Sequence, residues 1–491
     1  MKRILGIFSK DLRHLWPQAL LFWGMLAVAA AMDPVVDKLH SSWPMMHQLP
    51  LLLEPLACWL LVVSAIHGET LIGDEQYWLT RPYSWKHLMA AKGLVLVVLV
   101  NLPVLVCQIA TLAAVGIPPL PWLTALLWRQ VFFTIFFLLT AAAVAAVTRN
   151  LGQVLLACVL LYAAFVAAFG LSQTIQGRWS DWGNLDWIRV CGTALVVASG
   201  TALALAMQYS RRATALSRAA LAATVVLATL VMTAPRWGGA FAIQRLSSRE
   251  RIGDAAVRVS IDQSRAGTQP AHWETRSSDP SGVRLEIPMR VDDVPPGATV
   301  GIDQTSVSLK SARGTWRSGW LTFQTLHDLS QGTAWLTVFV DPDFYNASAD
   351  AVVELGGTVD LTLDRRVRAM VADDTQKLVP EFGLCEPAVG STMANCFTPF
   401  QQVSVELVAG NPAFREETWL NGPYAPFPTS ASFRALDPML LGKFSPAFGT
   451  YSTLWLVMYR PVAHLERNFQ VRGLKMSRFR LPWESPAGLE P

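Results

Sequence analysis

Long apolar runs dominate the first half of the chain, and a two-residue alternation of apolar and polar positions dominates the second. The apolar runs fall at about 16–32, 49–67, 94–116, 125–147, 153–171, 190–209 and 217–235. Each is long enough, or nearly so, to cross about 30 Å of hydrocarbon as a helix. The first and last have about 17 residues, near the lower limit for a span, so six to seven transmembrane helices are expected. From about Arg245 the period shortens to two. Val283, Leu285, Ile287, Met289 and Val291 alternate with Arg284, Glu286, Pro288 and Arg290, which predicts a half-buried strand. Similar alternation recurs at Val257/Val259/Ile261, Val307/Leu309, Val359/Leu361/Leu363, Val403/Val405/Leu407 and Phe469/Val471, with turn signals at Pro295-Pro296-Gly297 and Gly356-Gly357. The fold class expected is an α-helical polytopic membrane domain followed by an all-β, sandwich-like domain of one or two units.

Composition sharpens the division. Residues 1–235 carry 24 charged side chains and residues 236–491 carry 52, so the two halves suit different solvents. The net charge of +4 comes from the first half, where Lys and Arg sit between apolar runs, and it gives no sign of nucleic-acid binding. With the N-terminus in the cytoplasm, the inner connections collect Lys2, Arg3, Lys10, Arg13, Arg81, Lys86, Lys92, Arg149, Arg211, Arg212 and Arg218. The outer side has only Lys38, Arg129, Arg178 and Arg189. That bias predicts a multi-pass protein of a bacterial inner membrane, its C-terminal domain extracytoplasmic and its first apolar run retained as an anchor. Trp16, Trp43, Trp122, Trp128, Trp182 and Trp187 stand at run ends, as interfacial indoles do. The working division is 1–15, an amphipathic interfacial helix; 16–210, six spans; 211–235, a seventh; 236–480, the β-rich domain; and 481–491, a tail. In the first segment Ile4, Leu5, Phe8 and Leu12 form an apolar stripe, with Lys10, Asp11 and Arg13 facing away. A basic leader into the first span reads the same pattern equally well.

Candidate chemistry is sparse. No nucleotide-binding P-loop, zinc-protease or serine-hydrolase signature and no C-x-x-C occurs, so no catalytic residue and no cofactor is assigned. His40, Met45, Met46 and His47 are soft ligand types without an established metal spacing, and no metal site is assigned. Cys58, Cys107, Cys158 and Cys191 lie within apolar runs, whereas Cys385 and Cys396 form the one pair in the polar half. Eleven residues apart in an oxidising compartment, they are expected to form a disulfide, two free thiols being the other reading. Glu54 and Arg129 are charges inside spans that either pair across the bundle or snorkel to headgroups.

The loop between the second and third runs, about residues 68–92, is the longest inner connection and is rich in charge and aromatics. With Glu69, Leu79, Pro82, Ser84 and Lys92 in order, it resembles the first cytoplasmic loop of ABC-2-type transporter permease subunits, over roughly residues 1–210. That resemblance implies a coupling helix docked against a separate ATP-binding cassette ATPase subunit, which would hold the ATP, and a permease homo- or heterodimer in the bilayer. Glu69, Asp74, Glu75, Arg81, Pro82, Trp85 and Lys92 become candidates for the contact or its hinge. Simple anchoring of span ends by Trp78, Arg81, Trp85 and Lys92 is the plainer reading. The β-rich domain departs from a minimal permease, and a membrane-anchored scaffold or sensor acting through it is the alternative.

Overall fold

The computed structural model describes residues 2–38, 44–68, 84–114, 116–176, 182, 185–250, 257–267, 282–296, 298–322, 327–328, 333–372, 377–379, 383–387, 393–398, 404–409, 429–434 and 454–480. Two compact units result, one of Met1–Thr174 with Trp187–Ala234 and the other of Ile175–Asp186 with Pro235–Pro491.

The helical unit runs α1 Lys2–Lys38, α2 Pro44–His67, α3 Trp85–Ala114, α4 Leu120–Ala146, α5 Leu151–Gln176, α6 Asp186–Arg211 and α7 Thr214–Thr233. Among the described residues four helices, α3, α4, α6 and α7, are long and apolar enough to cross a membrane. Outward-facing Leu155, Leu156, Val159 and Leu160 on α5 give the unit an apolar exterior of the kind hydrocarbon tolerates and water does not. The amphipathic stretch and the first apolar run form one unbroken helix. Ile7, Asp11, Leu15, Ala19, Phe22 and Leu26 are buried along it at three- and four-residue intervals. Asp11, expected on the polar face, therefore points inward. Between α6 and α7 the chain reverses through Arg212, whose φ of 55° supplies the left-handed corner. The two helices then meet so closely that a Cβ on Gly200 would stand 1.9 Å from Thr224 Oγ1.

In the second unit, α8 Ala240–Leu246 leads into strands β1 Arg258–Ile261, β2 Val283–Asp292, β3 Ala298–Ser311, β4 Gly314–Thr322, β5 His327–Asp328 and β6 Thr333–Val340. A short helix, α9 Pro342–Ser348, follows. It starts where Asp341 caps the amides of Asp343 and Phe344 and Pro342 presets the first turn, a signal the strand alternation does not carry. The remaining strands are β7 Val353–Ala372, β8 Lys377–Val379, β9 Gly383–Pro387, β10 Met393–Thr398, β11 Ser404–Ala409, β12 Thr429–Arg434 and β13 Leu454–Leu474. Three antiparallel sheets form, ordered β1-β2-β6-β5, β11-β13-β7-β3-β4 and β12-β10-β9-β8. The first two share one core, Leu285, Ile287, Met289 and Leu336 meeting Val300, Ile302, Leu361 and Leu363.

Gly357 on β7 shows how tightly the strands are drawn together. A Cβ there would fall 2.4 Å from both Ser306 O and Phe469 Cζ, so the missing side chain is what admits the Phe469 ring. Strand β2 corrects the half-buried expectation. Glu286, read as solvent-facing, is buried, with Arg284 Nε 2.6 Å and Thr337 Oγ1 3.0 Å from its carboxylate. Burial still pushes its pKa up against those donors. On β9 and β10, Cys385 and Cys396 are direct cross-strand partners by backbone register, and their side chains lie outside the described residues.

Candidate functional site

Of the residues proposed for docking, Glu69, Asp74, Glu75, Arg81 and Pro82 lie outside the described residues; both ends of their loop are described. Gly68 closes α2 by donating its N–H to Ser64 O at 3.0 Å. Ser84 precedes α3, its Oγ 2.7 Å from His87 Nδ1. Trp85 is half-buried against the helical core, with Lys86 Nζ 5.7 Å from its ring centroid. Lys92 is buried and donates to Asp11 Oδ2 at 2.8 Å, both side chains out of solvent. The pair ties the early turns of α3 to α1.

The other end of the loop is held through α4. Its final turn, Ala141 to Val147, is fully buried, so its orphan carbonyls need donors from within the unit. His67, the last residue of α2, sets Nε2 3.0 Å from Ala145 O and 3.4 Å from Thr148 Oγ1. Arg218 near the start of α7 donates Nε and Nη2 to Val147 O at 3.1 and 2.9 Å. A cation at a helix C-terminus also matches the helix dipole. The residues flanking the loop are thereby joined to α1, α2, α3, α4 and α7. Neither contact has a sequence signal, because the acceptors are backbone carbonyls of residues with no distinguishing side chain.

Midway along α3 and α4 the helices widen. Residues Val97–Asn101 and Thr134–Leu139 are π-helical, and Thr134 Oγ1 donates to Asn101 Oδ1 at 3.1 Å, which places the two widened segments at one level. Pro103 explains the first. It has no N–H for the Leu99 carbonyl four residues back, and the Trp23 indole of α1 donates to that oxygen at 2.9 Å instead. One turn away Gln130 Nε2 donates to Gln108 Oε1 at 3.1 Å. A polar seam therefore runs between α3 and α4 through an otherwise apolar interior. Glu54 on α2 and Arg129 on α4, the two charges foreseen inside spans, are each half-buried.

The second unit has its own buried polar cluster. Arg236 is inserted beside β3 and β7, donating Nη1 to Gln304 Oε1 at 2.5 Å, pairing through Nη2 with Asp360 and stacking its guanidinium 3.4 Å over the Trp320 ring. Farther along, Thr362 Oγ1 lies 2.5 Å from Asp303 Oδ2 and 2.9 Å from His464 Nδ1, and Gln244 Nε2 is 3.1 Å from His464 Nε2. Burial pushes Asp360 up to about 7 even beside Arg236, pushes Asp364 up to about 7, and lowers His464 to about 4. Next to this cluster Trp182, expected as an interfacial anchor, is instead buried edge-on against Trp237, ring centroids 5.3 Å apart. Trp122 is buried as well, whereas Trp16, Trp128 and Trp187 keep exposed rings as anchors do.

Among the described residues no group of three or more His, Cys, Asp or Glu side chains is placed to hold a metal ion. Cys58, Cys107, Cys158 and Cys191 are free thiols. The geometry is two loop ends fastened to a bundle that carries π-helical segments at one level of α3 and α4. No family model, no curated protein and no solved structure matches this chain.

Proposed function

We propose that this chain is the membrane-spanning permease subunit of an ATP-driven, ABC-2-like transporter, energised by a separate ATP-binding cassette ATPase that docks on loop 68–92. The observation that carries the reading is the fastening of both loop ends, through His67 on α4 and Lys92 on α1. A displacement applied to such a loop reaches five helices without being absorbed at its base. The widened segments of α3 and α4 supply the compliance that alternating access needs, because a π turn carries weaker, rearrangeable backbone bonds. ATP would be held by the partner, and two permease copies would assemble in a bacterial inner membrane, N-terminus inside and β-rich unit outside. A Cys385–Cys396 disulfide belongs to the same reading, since directly opposed antiparallel residues have Cα atoms about 4.5–5.5 Å apart, within disulfide range.

The test separates contact from hinge. Co-expressed with a cognate ATPase, Arg81→Glu should weaken co-purification about tenfold, while the paired change Lys92→Met/Asp11→Leu, which strands no charge, should leave association intact and lower transport-coupled ATP hydrolysis. Unchanged association and coupling in both variants would remove the loop from the energy path. The second reading, a scaffold or sensor acting through the β-rich unit, draws on Asp360 and Asp364, whose raised proton affinities lie near neutrality. It requires signalling that survives that paired change.

A further inference from the structure

Helices α6 and α7 are fastened together at the end where the chain enters the first and leaves the second: Arg189 Nη1 donates to Met232 O at 2.9 Å. Trp182 stands four residues before α6 begins, and Trp237 four residues after α7 ends. The two indoles meet edge-on with ring centroids 5.3 Å apart, Trp182 buried and Trp237 48% exposed. Four residues of extended chain span at most about 14 Å. Trp237 is therefore tethered close to the end of a helix long and apolar enough to cross a membrane.

From Trp237 the chain turns at once into α8. Ala240 N donates to Trp237 O at 3.0 Å and Ala242 N to Gly239 O at 3.1 Å, which makes residues 237–246 one compact piece. Its two faces differ. Ala240, Phe241 and Gln244 are buried, and Gln244 Nε2 lies 3.1 Å from His464 Nε2 of β13, which fixes the piece to the sheet. On the other face Ile243 and Leu246, one turn apart, are exposed, Leu246 by 85%, with Arg245 exposed between them. A single exposed leucine is ordinary on a water-facing surface. An indole and two aliphatic side chains on one short piece, just past the end of a span, are what an interfacial segment presents.

Its size and its place in the chain say what covers this face. Three side chains fall well short of the roughly 800 Å² that each partner buries in a standard protein interface. They suit the boundary of a bilayer, where indole rings settle at headgroup depth and aliphatic tips reach the acyl chains. An arginine there lays its stem along the apolar zone and keeps its guanidinium among the headgroups. We propose that Trp237 and α8 form an interfacial foot that seats in the bilayer surface at the end of α7. Because α8 is held to β13, the foot sets the β-rich unit on the lipid instead of leaving it on a free linker. The inference rests on α7 spanning a membrane and not on the transport reading.

The test uses the full chain in phosphatidylcholine vesicles, with a nitrobenzoxadiazole label on Leu246→Cys or Ile243→Cys. Leu227→Cys, at a 52% exposed position of α7, reports on the span itself. The parent, labelled in parallel, supplies the background from its native cysteines. At positions 243 and 246, lipid bearing a nitroxide near its headgroup should cut emission about twofold, and aqueous iodide should quench about threefold less than it quenches the dye on free cysteine. Two sites on one face guard against a local disturbance by either dye. Lipid quenching at 227 with iodide quenching at 243 and 246 equal to that of the free dye would put the foot in water, and the proposal would fall while the span stands. Shielding from iodide without quenching by the nitroxide lipid would mean that protein covers the face, which also overturns it. If no label meets lipid, the span and the foot fall together.

Discussion

The helical and β-rich units both bury ions, and they compensate them by different means. In the helical unit Lys92 and Asp11 form a buried pair, and His67 and Arg218, which are less enclosed, meet helix-end carbonyls that needed donors in any case. In the β-rich unit Arg236 is held from several sides, by Asp360, Gln304 and the Trp320 ring, with Asp364 and His464 enclosed nearby. The difference follows from backbone bookkeeping. A helix satisfies its own amides and leaves spare acceptors only at its ends, whereas a sheet uses its amides laterally and must satisfy a buried charge with side chains. The helical pair can thus be removed together with little loss of stability, while the charges in the sheets are coupled.

The sharpest way to break the comparison is steric, and it should affect the two units alike. Gly200→Leu drives a side chain into Thr224 and should part α6 from α7, while Gly357→Val should expel the Phe469 ring from β7. Each is expected to cost more than about 3 kcal/mol and to abolish monodisperse protein on size exclusion. A variant that elutes and melts like the parent would show the packing to be looser than described.

Next in size are the ion pairs, where the units should diverge. Lys92→Met or Asp11→Leu alone should cost about 3–5 kcal/mol by stranding a buried charge, and the double substitution should recover most of that. Arg236→Met with Asp360→Leu should recover much less, because Gln304 and Trp320 lose their partner as well. Double-mutant cycles from thermal melts measure both couplings. Equal recovery in the two units would cancel the distinction.

The smallest effect sharpens the β-rich side through pH. Asp364 has a folded pKa of about 7, above its ordinary 3.8, so the folded chain keeps a proton that the unfolded chain releases between those values. Its contribution to stability is therefore full below about pH 4 and is lost as pH rises to 7. His464 works the other way: lowered to about 4, its folded form declines a proton that the unfolded form accepts, so stability grows between about pH 4 and 6.5. Asp364→Asn should raise the melting temperature at pH 8, by an effect on the order of 1 kcal/mol, with little change at pH 4. Denaturation midpoints at the two pH values check it, and an equal shift at both would assign the effect to packing.

Much of the plan was legible along the chain. The apolar runs fell on helices and the alternating stretches on strands because both patterns are set by local geometry, 3.6 and 2 residues per repeat. Asp11 was misread for the same reason. Helical spacing put it opposite the apolar stripe, and only the approach of α3, bringing Lys92 within 2.8 Å, made the inward side favourable for a carboxylate. Glu286 repeats the lesson in a strand, where Arg284 and Thr337 turn a polar position into a buried one.

What the sequence determined by itself is the solvent each half suits and the type of element each segment forms, since hydropathy and periodicity are carried by neighbours in the chain. Tertiary structure alone decided which polar groups are enclosed, that His67 and Arg218 cap α4, and that Pro103 and Trp23 share one carbonyl. Those outcomes depend on groups tens to hundreds of residues apart. Their energies arise only when folding brings them together and removes the water between them.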